Sequence, residues 1–373
     1  MRAGLPCMTR GRLGSAESMG RGRPAMSFLS ISRYEIRILS LIATLAATLL
    51  VVLGQMEPSH GPWDVLGSML LITPTAMLLV VGLPRVRDRF GELLDRSILW
   101  AFAPPAVALA VVALYLSMVE PGLGDRLPSV AVYLLLPALL YTVARPDADP
   151  ADGLWARDLV VIAGLVGPIM AGLLTERVTP LGQVPVDLAL GLMAGIPAVL
   201  LVRPTPGHGY NWELSWRDVG WLAGGLAVAS ATLIPTGLIT GFSEPREELL
   251  PIPKMIGIGV YFFVLIGLGQ ELLFRGFLQN LLARRLKRWR ATSHAWGDWL
   301  ALIVTSVIFG ISHYPLSPQP GLYIAITTFL GLVVGYVWMR SGSLLAATLI
   351  HTGVNWVWVN FIPSPDGFSA LAS

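Results

Sequence analysis

The chain has 373 residues, 54% of them hydrophobic and 13% charged, with a mean hydropathy of +0.67 and a formal net charge of +3. That balance excludes an ordinary soluble domain, which carries about 25% charged residues, and a disordered chain, which needs high charge and few apolar residues. It also excludes an outer-membrane barrel, whose strands alternate polar and apolar positions, while the single cysteine, Cys7, excludes a disulfide framework and a Cys-rich metal cluster.

Residues 1–33 are rich in Gly, Ser and Arg and lack an apolar run long enough for a signal peptide, so they read as a disordered cytoplasmic tail. Beyond them, a bilayer core of about 30 Å calls for about 20 mostly apolar helical residues per crossing. Such runs occupy 36–53, 65–83, 98–119, 127–144, 159–174 and 188–202 in the first half of the chain. In the second half they occupy 219–242, 255–283, 299–313, 322–339 and 344–362. The expectation is an all-α, polytopic transmembrane helical bundle of about 11 spans. It divides into an N-terminal six-helix membrane region, 36–205, with no assigned role, and a second membrane domain, 211–362.

With the chain threaded through these runs, 21 of the 26 Lys and Arg residues fall on one side and 4 on the other, with Arg275 inside a run. An excess of Lys and Arg marks the cytoplasmic face. The expectation is therefore a multi-pass protein of the cell membrane with a cytoplasmic N-terminus and an external C-terminus. The basic residues are dispersed along one face, which suits membrane lipids as partners and not nucleic acid.

Ionisable side chains inside apolar helices are costly, and each calls for a partner or a role. The eighth run carries Gln270, Glu271 and Arg275, the ninth ends in Phe309-Gly-Ile-Ser-His313, and the eleventh carries His351-Thr-Gly-Val-Asn355. Glu271 with Arg275, and His351 with Asn355, are spaced to share a helix face. A rise of about 1.5 Å per residue puts Glu271, His313, His351 and Asn355 at a common level near mid-membrane, so one cavity is expected to collect them. Pro315, Pro318 and Pro320 stop the helix after His313, as in a broken helix that lines a water-filled space.

Each of these residues also has a purely structural reading. Glu271 and Arg275 can be a buried i,i+4 ion pair, His313 an imidazole at a polar helix end, and His351 with Asn355 an interhelical hydrogen-bonding pair. His60, His208 and His294 read as solvated loop residues. Gly220 with Gly224 and Gly331 with Gly335 read as close-packing notches, and the tryptophans at the run ends as an interfacial belt.

In this order and on separate helices, the motifs resemble the CPBP family of intramembrane proteases, the group of type II CAAX prenyl endopeptidases and bacteriocin-processing or self-immunity proteins. The resemblance covers about 211–362 and rests on a Glu-Glu-x-x-x-Arg-like element at Gln270, Glu271 and Arg275, with Phe-x-x-x-His at Phe309 and His313 and His-x-x-x-Asn at His351 and Asn355. It implies an intramembrane endopeptidase that hydrolyses a peptide bond of a membrane-associated peptide or protein, CAAX-type substrates included. Carried onto this chain, Glu271 is the base acting on water, Arg275 orients it, His313 is its partner or a ligand, and His351 and Asn355 donate to the oxyanion. The first Glu of the family's pair is Gln270 here, and an amide has no useful basicity near neutral pH. Two cofactor readings stand open: metal-free water activation, or a zinc ion held by Glu271, His313 and His351. A second function class is a non-catalytic membrane protein that binds a peptide or partner in the same cavity. A proton-coupled transporter fits less well, because the polar residues cluster instead of tracing a route across the bilayer.

Overall fold

The computed structural model describes residues 83–103, 154–170, 177–179, 182–184, 207–210, 212–289, 294–314 and 319–363, with isolated positions between them. The tail at 1–33 lies outside the described residues, and so do the runs at 36–53, 65–82, 188–202 and nearly all of 127–144.

Helix α1, Pro84–Arg96, starts on a proline, whose fixed φ and missing N–H suit a first turn. Charge patterning alone assigns this stretch to a basic loop. It folds because Phe90 and Leu94, one turn apart, turn a single apolar face to the protein. A 3-10 turn, Ile98–Phe102, follows and presents Leu99 and Trp100 outward. Helix α2, Ala156–Met170, opens with Asp158 accepting from the Trp155 N–H at 2.9 Å, and buries Val161, Ile162 and Leu165. The Leu154 N–H donates to Leu281 O at 3.1 Å and ties this helix start to the second half of the chain. A short antiparallel hairpin, β1 Arg177–Thr179 and β2 Gly182–Val184, pairs Val178 with Gln183.

Helix α3, Trp216–Ile239, is set by a capping box in which Ser215 Oγ accepts from the Asp218 N–H and Asp218 returns the bond to the Ser215 N–H. Gly225 lets α3 close on the bundle, since a Cβ there would sit 2.5 Å from Ile350 Cδ1 and 2.8 Å from Val337 Cγ2. Helix α4 runs Ile252–Arg288 as one 37-residue rod. Helices α5, His294–Ile311, α6, Pro320–Ser341, and α7, Leu344–Phe361, complete the bundle. The α6–α7 corner turns on Gly342 at φ +72°, a left-handed conformation that suits glycine, and Ser343 then caps α7 by accepting from the Ala346 N–H. The core lies between α4 and α7, where Leu268, Leu272, Phe277, Phe309, Val334 and Ile350 are buried.

The all-α class stands, but the count of about 11 spans is corrected. Among the described residues, three helices are long and apolar enough to cross a membrane: Trp216–Ile239, Ile252–Arg288 and Pro320–Ser341. Two of the firmer expected runs fall short for physical reasons. The apolar part of α5, Trp296–Ile311, is too short, and α7 spends His351, Asn355 and Asn360 on polar positions within 18 residues. The run at 159–174 is represented by the 15-residue α2, and the described start of 98–119 is the 3-10 turn.

Candidate active site

The middle of α4 departs from α-helical geometry around its charged residues. Two π-helical stretches, Phe262–Gly267 and Leu272–Gln279, bracket the α-helical segment Leu268–Glu271. Such wide turns change the angular step between residues and recur at functional sites. Here the 270–280 segment brings Glu271, Arg275 and Gln279 to the faces of α6 and α7.

Glu271 and Arg275 are both fully buried, at 0% exposure. Arg275 Nη1 donates to Glu271 Oε1 at 3.2 Å, and Arg275 Nε lies 3.1 Å from Oε2 at an angle outside hydrogen bonding. From α7, His351 Nδ1 meets the same Oε1 at 2.7 Å. Oε1 is thus doubly engaged, while Oε2 has no hydrogen-bond partner. Arg275 Nη2 reaches α6, donating to Gly331 O at 3.0 Å. The Glu271–Arg275 pair therefore connects three helices.

Phe309 is the hub of the site. Its fully buried ring lies 4.5 Å beneath the Arg275 guanidinium carbon and packs edge-on with His313 at 4.6 Å, Phe274 at 5.1 Å and His351 at 5.6 Å between centroids. His313 sits buried in the turn beyond α5. Its Nδ1 lies 2.7 Å from Phe309 O, and because a carbonyl only accepts, Nδ1 carries the proton and Nε2 the lone pair. An ionised Glu271 fixes the same tautomer on His351.

The four expected residues Glu271, Arg275, His313 and His351 thus gather around one phenylalanine ring. Asn355, one turn beyond His351 and half-buried, makes no side-chain hydrogen bond. Gln270 is buried with Oε1 unpaired. The zinc set does not fit: among the described residues, no group of three or more His, Cys, Asp or Glu side chains is placed to hold a metal ion. The Arg275 cation against Glu271 opposes a second cation there.

Two features escaped sequence reasoning. Gly331 and Gly335 are notches as expected, with carbonyls that also accept from Arg275 and, at 3.2 Å, from Gln279 Nε2, whereas Gly220 and Gly224 are not notches, because a Cβ at either would meet nothing within 4 Å. The shared spacing of four between Arg275 and Gln279 and between Gly331 and Gly335 was the available signal. His208, read as solvated, is half-buried; its Nδ1 accepts from the Tyr210 N–H at 2.9 Å and its carbonyl accepts from Trp338 Nε1 at 3.3 Å.

The same four helices carry the likeness to known proteins. Residues 252–357 match the Type II CAAX prenyl endopeptidase Rce1-like family. The match holds Glu271, Arg275, His313, His351 and Asn355, and is narrower than the expected 211–362 because it omits α3. A protein of Escherichia coli described as an uncharacterized 24.3 kDa protein is 30% identical over 144 residues, covering 36% of this chain and 61% of that protein. The chain thus spans about three-fifths of that relative's length. No solved structure matches the chain. A membrane location agrees with the three long apolar helices, two of which, α4 and α6, lie within the Rce1-like segment.

Proposed function

We propose that this protein is an intramembrane endopeptidase that hydrolyses a peptide bond of a membrane-associated polypeptide. The observation that carries this reading is the Glu271 carboxylate, with Oε1 hydrogen-bonded by Arg275 and His351 and Oε2 holding only the ion-pair contact to Arg275 Nε at 3.1 Å. Oε2 takes the proton of the attacking water, and Arg275 orients the carboxylate. His313 Nε2 is the second acceptor within the site. The Asn355 amide donates to the oxyanion, joined by His351 Nε2 when the imidazole takes a second proton from solvent, and the water proton held on Oε2 passes to the leaving amine nitrogen as its C–N bond breaks. General-base catalysis contributes about a hundredfold to ten-thousandfold in rate.

Comparing the new peptide N-termini of membrane fractions that contain wild type or Glu271→Gln tests the reading. The expected result is a set of cleavages present with wild type and reduced at least about a hundredfold in the variant. Cleavage that survives Glu271→Gln removes the residue from the mechanism. A second reading, a non-catalytic protein that binds a polypeptide at the same place, is favoured by one observation: Gln270 stands where the resembling motif has its first carboxylate. Wild type that cleaves nothing, yet retains bound polypeptide, selects it.

A further inference from the structure

Among the buried side-chain polar atoms of the described residues that lack a hydrogen-bond partner, Gln270 Oε1 and Thr352 Oγ1 lie on the facing sides of α4 and α7, beside Glu271 Oε2, whose one contact is the Arg275 Nε ion pair at 3.1 Å. Gln270 and Thr352 are 8% and 9% exposed. Buried polar groups are nearly always paired in folded proteins, and a cluster of unpaired ones points to a missing partner. Their placement is specific. Gly267, Gln270 and Glu271 lie three and four residues apart on α4 and share a face. Thr352 packs on that face, because a Cβ on Gly267 would lie 2.8 Å from Thr352 Oγ1 and 3.4 Å from Thr348 Cγ2. Its neighbour His351 holds Glu271 Oε1 at 2.7 Å. Thr348, one turn earlier on α7, satisfies its hydroxyl on Leu344 O at 2.9 Å, whereas Thr352 does not do so within its own helix.

The charge balance narrows the ligand. Glu271 and Arg275 neutralise one another, so the seam calls for neither an anion nor a cation but for a neutral polar group. A glutamine oxygen only accepts, whereas a threonine hydroxyl also donates. An extended polypeptide offers the complement, an N–H followed by a C=O, without side-chain identity. We propose that Gln270 and Thr352 form a subsite for the backbone amide of a bound polypeptide, with Gln270 Oε1 accepting from its N–H and Thr352 Oγ1 donating to its C=O. The proposal rests on the reading that the site takes a polypeptide, and it holds for cleaving and non-cleaving versions of that reading alike. It also gives the glutamine a use: an amide beside Glu271 binds without adding a second negative charge.

The test uses the full chain in phosphatidylcholine nanodiscs with dansyl-labelled, leucine- and alanine-rich 20-residue membrane peptides as probes. In the probe series each backbone amide is replaced in turn by an ester, which removes one N–H and keeps the C=O. Wild type is expected to bind the all-amide peptide and to lose about fivefold in affinity at one ester position, the size of a single neutral hydrogen bond. Gln270→Leu is expected to bind the all-amide peptide about fivefold more weakly and to be indifferent to that ester. Thr352→Val should weaken binding similarly, while Thr352→Ser restores it. An ester series without a weak position, an ester penalty that persists unchanged in Gln270→Leu, or a wild type that binds no probe overturns the proposal. The ester series on wild type needs no variant, so it decides the matter even where a substitution fails to fold. Binding with this pattern but without cleavage of any probe sinks the peptidase reading and leaves the subsite standing.

Discussion

Arg275 is a fully buried cation with three kinds of partner: the Glu271 carboxylate, the Gly331 carbonyl and the Phe309 ring. Removing one member of a buried pair strands the other, which costs about 3–5 kcal/mol. Arg275→Met is therefore expected to lower stability by about that amount, and the double variant Arg275→Met/Glu271→Leu to recover most of the loss, because no charge is then left unpaired. Denaturant or thermal unfolding in mild detergent reads both, and a double variant as unstable as the single one contradicts the pairing. At this scale the sequence was legible in part. Spacing put Glu271 with Arg275, since i and i+4 meet on any helix, and helix rise put His351 at the level of Glu271, where the two now meet at 2.7 Å. Spacing within α7 placed Asn355 on the same face as His351 but could not name the partner of either across the bundle.

Helices α4 and α6 meet through a repeated device. Arg275 and Gln279 on one donate to the carbonyls of Gly331 and Gly335 on the other, while the absence of side chains at these glycines lets α5 close on α6 and, at Gly335, leaves room for Gln279. A Cβ on Gly331 would lie 3.1 Å from Ser306 Cβ and 3.2 Å from Phe309 Cδ1, and one on Gly335 would lie 2.6 Å from Leu302 Cδ1. Gly331→Ala is expected to cost about 1–3 kcal/mol by overpacking and to weaken activity by displacing Phe309 from under Arg275. Gly220→Ala, where a Cβ meets nothing, should be neutral in the same unfolding and cleavage measurements. Equal effects at the two positions would contradict the device. The π turns that present these donors were not legible, because nothing in the composition of Phe262–Gly267 or Leu272–Gln279 separates a wide turn from an α-helical one. The amphipathic α1 was hidden for the opposite reason: its many charges read as a loop although Phe90 and Leu94 hold the helical spacing.

Across the molecule, charge is segregated by end. Arg217 Nη2 donates to Arg340 O at 3.0 Å, joining the start of α3 to the end of α6, and Lys287 pairs with Asp298 at 2.7 Å, joining the end of α4 to α5. Arg285 and Arg340 lie over Trp155 and Trp221. This arginine- and tryptophan-lined end is expected to face the cytoplasm, so a reporter inserted after Arg288 should be active in the cytoplasm, and activity on the other side of the membrane would reverse the orientation. At the opposite end, Arg246 N–H and Glu244 N–H donate to Phe361 O and Pro363 O, and Arg246 Nη2 donates to Val359 O, binding the α3–α4 connection to the end of α7. Hydropathy alone found the location of α3, α4 and α6 because they are apolar throughout. It overcounted elsewhere, since an apolar run has the same look whether it crosses a bilayer or is a short interior helix such as the apolar part of α5.

The three-helix setting of the Glu271–Arg275 pair has a consequence for the order in which the chain is made. Helix α4 leaves the ribosome dozens of residues ahead of Gly331 and His351, so for an interval the carboxylate and guanidinium enter the membrane without the partners they keep in the finished fold. Their spacing of four lets each neutralise the other on a single helix in the meantime. The pair serves the nascent chain as its own escort, and the arrival of α6 and α7 then converts a temporary truce between two charges into the settled geometry of a site.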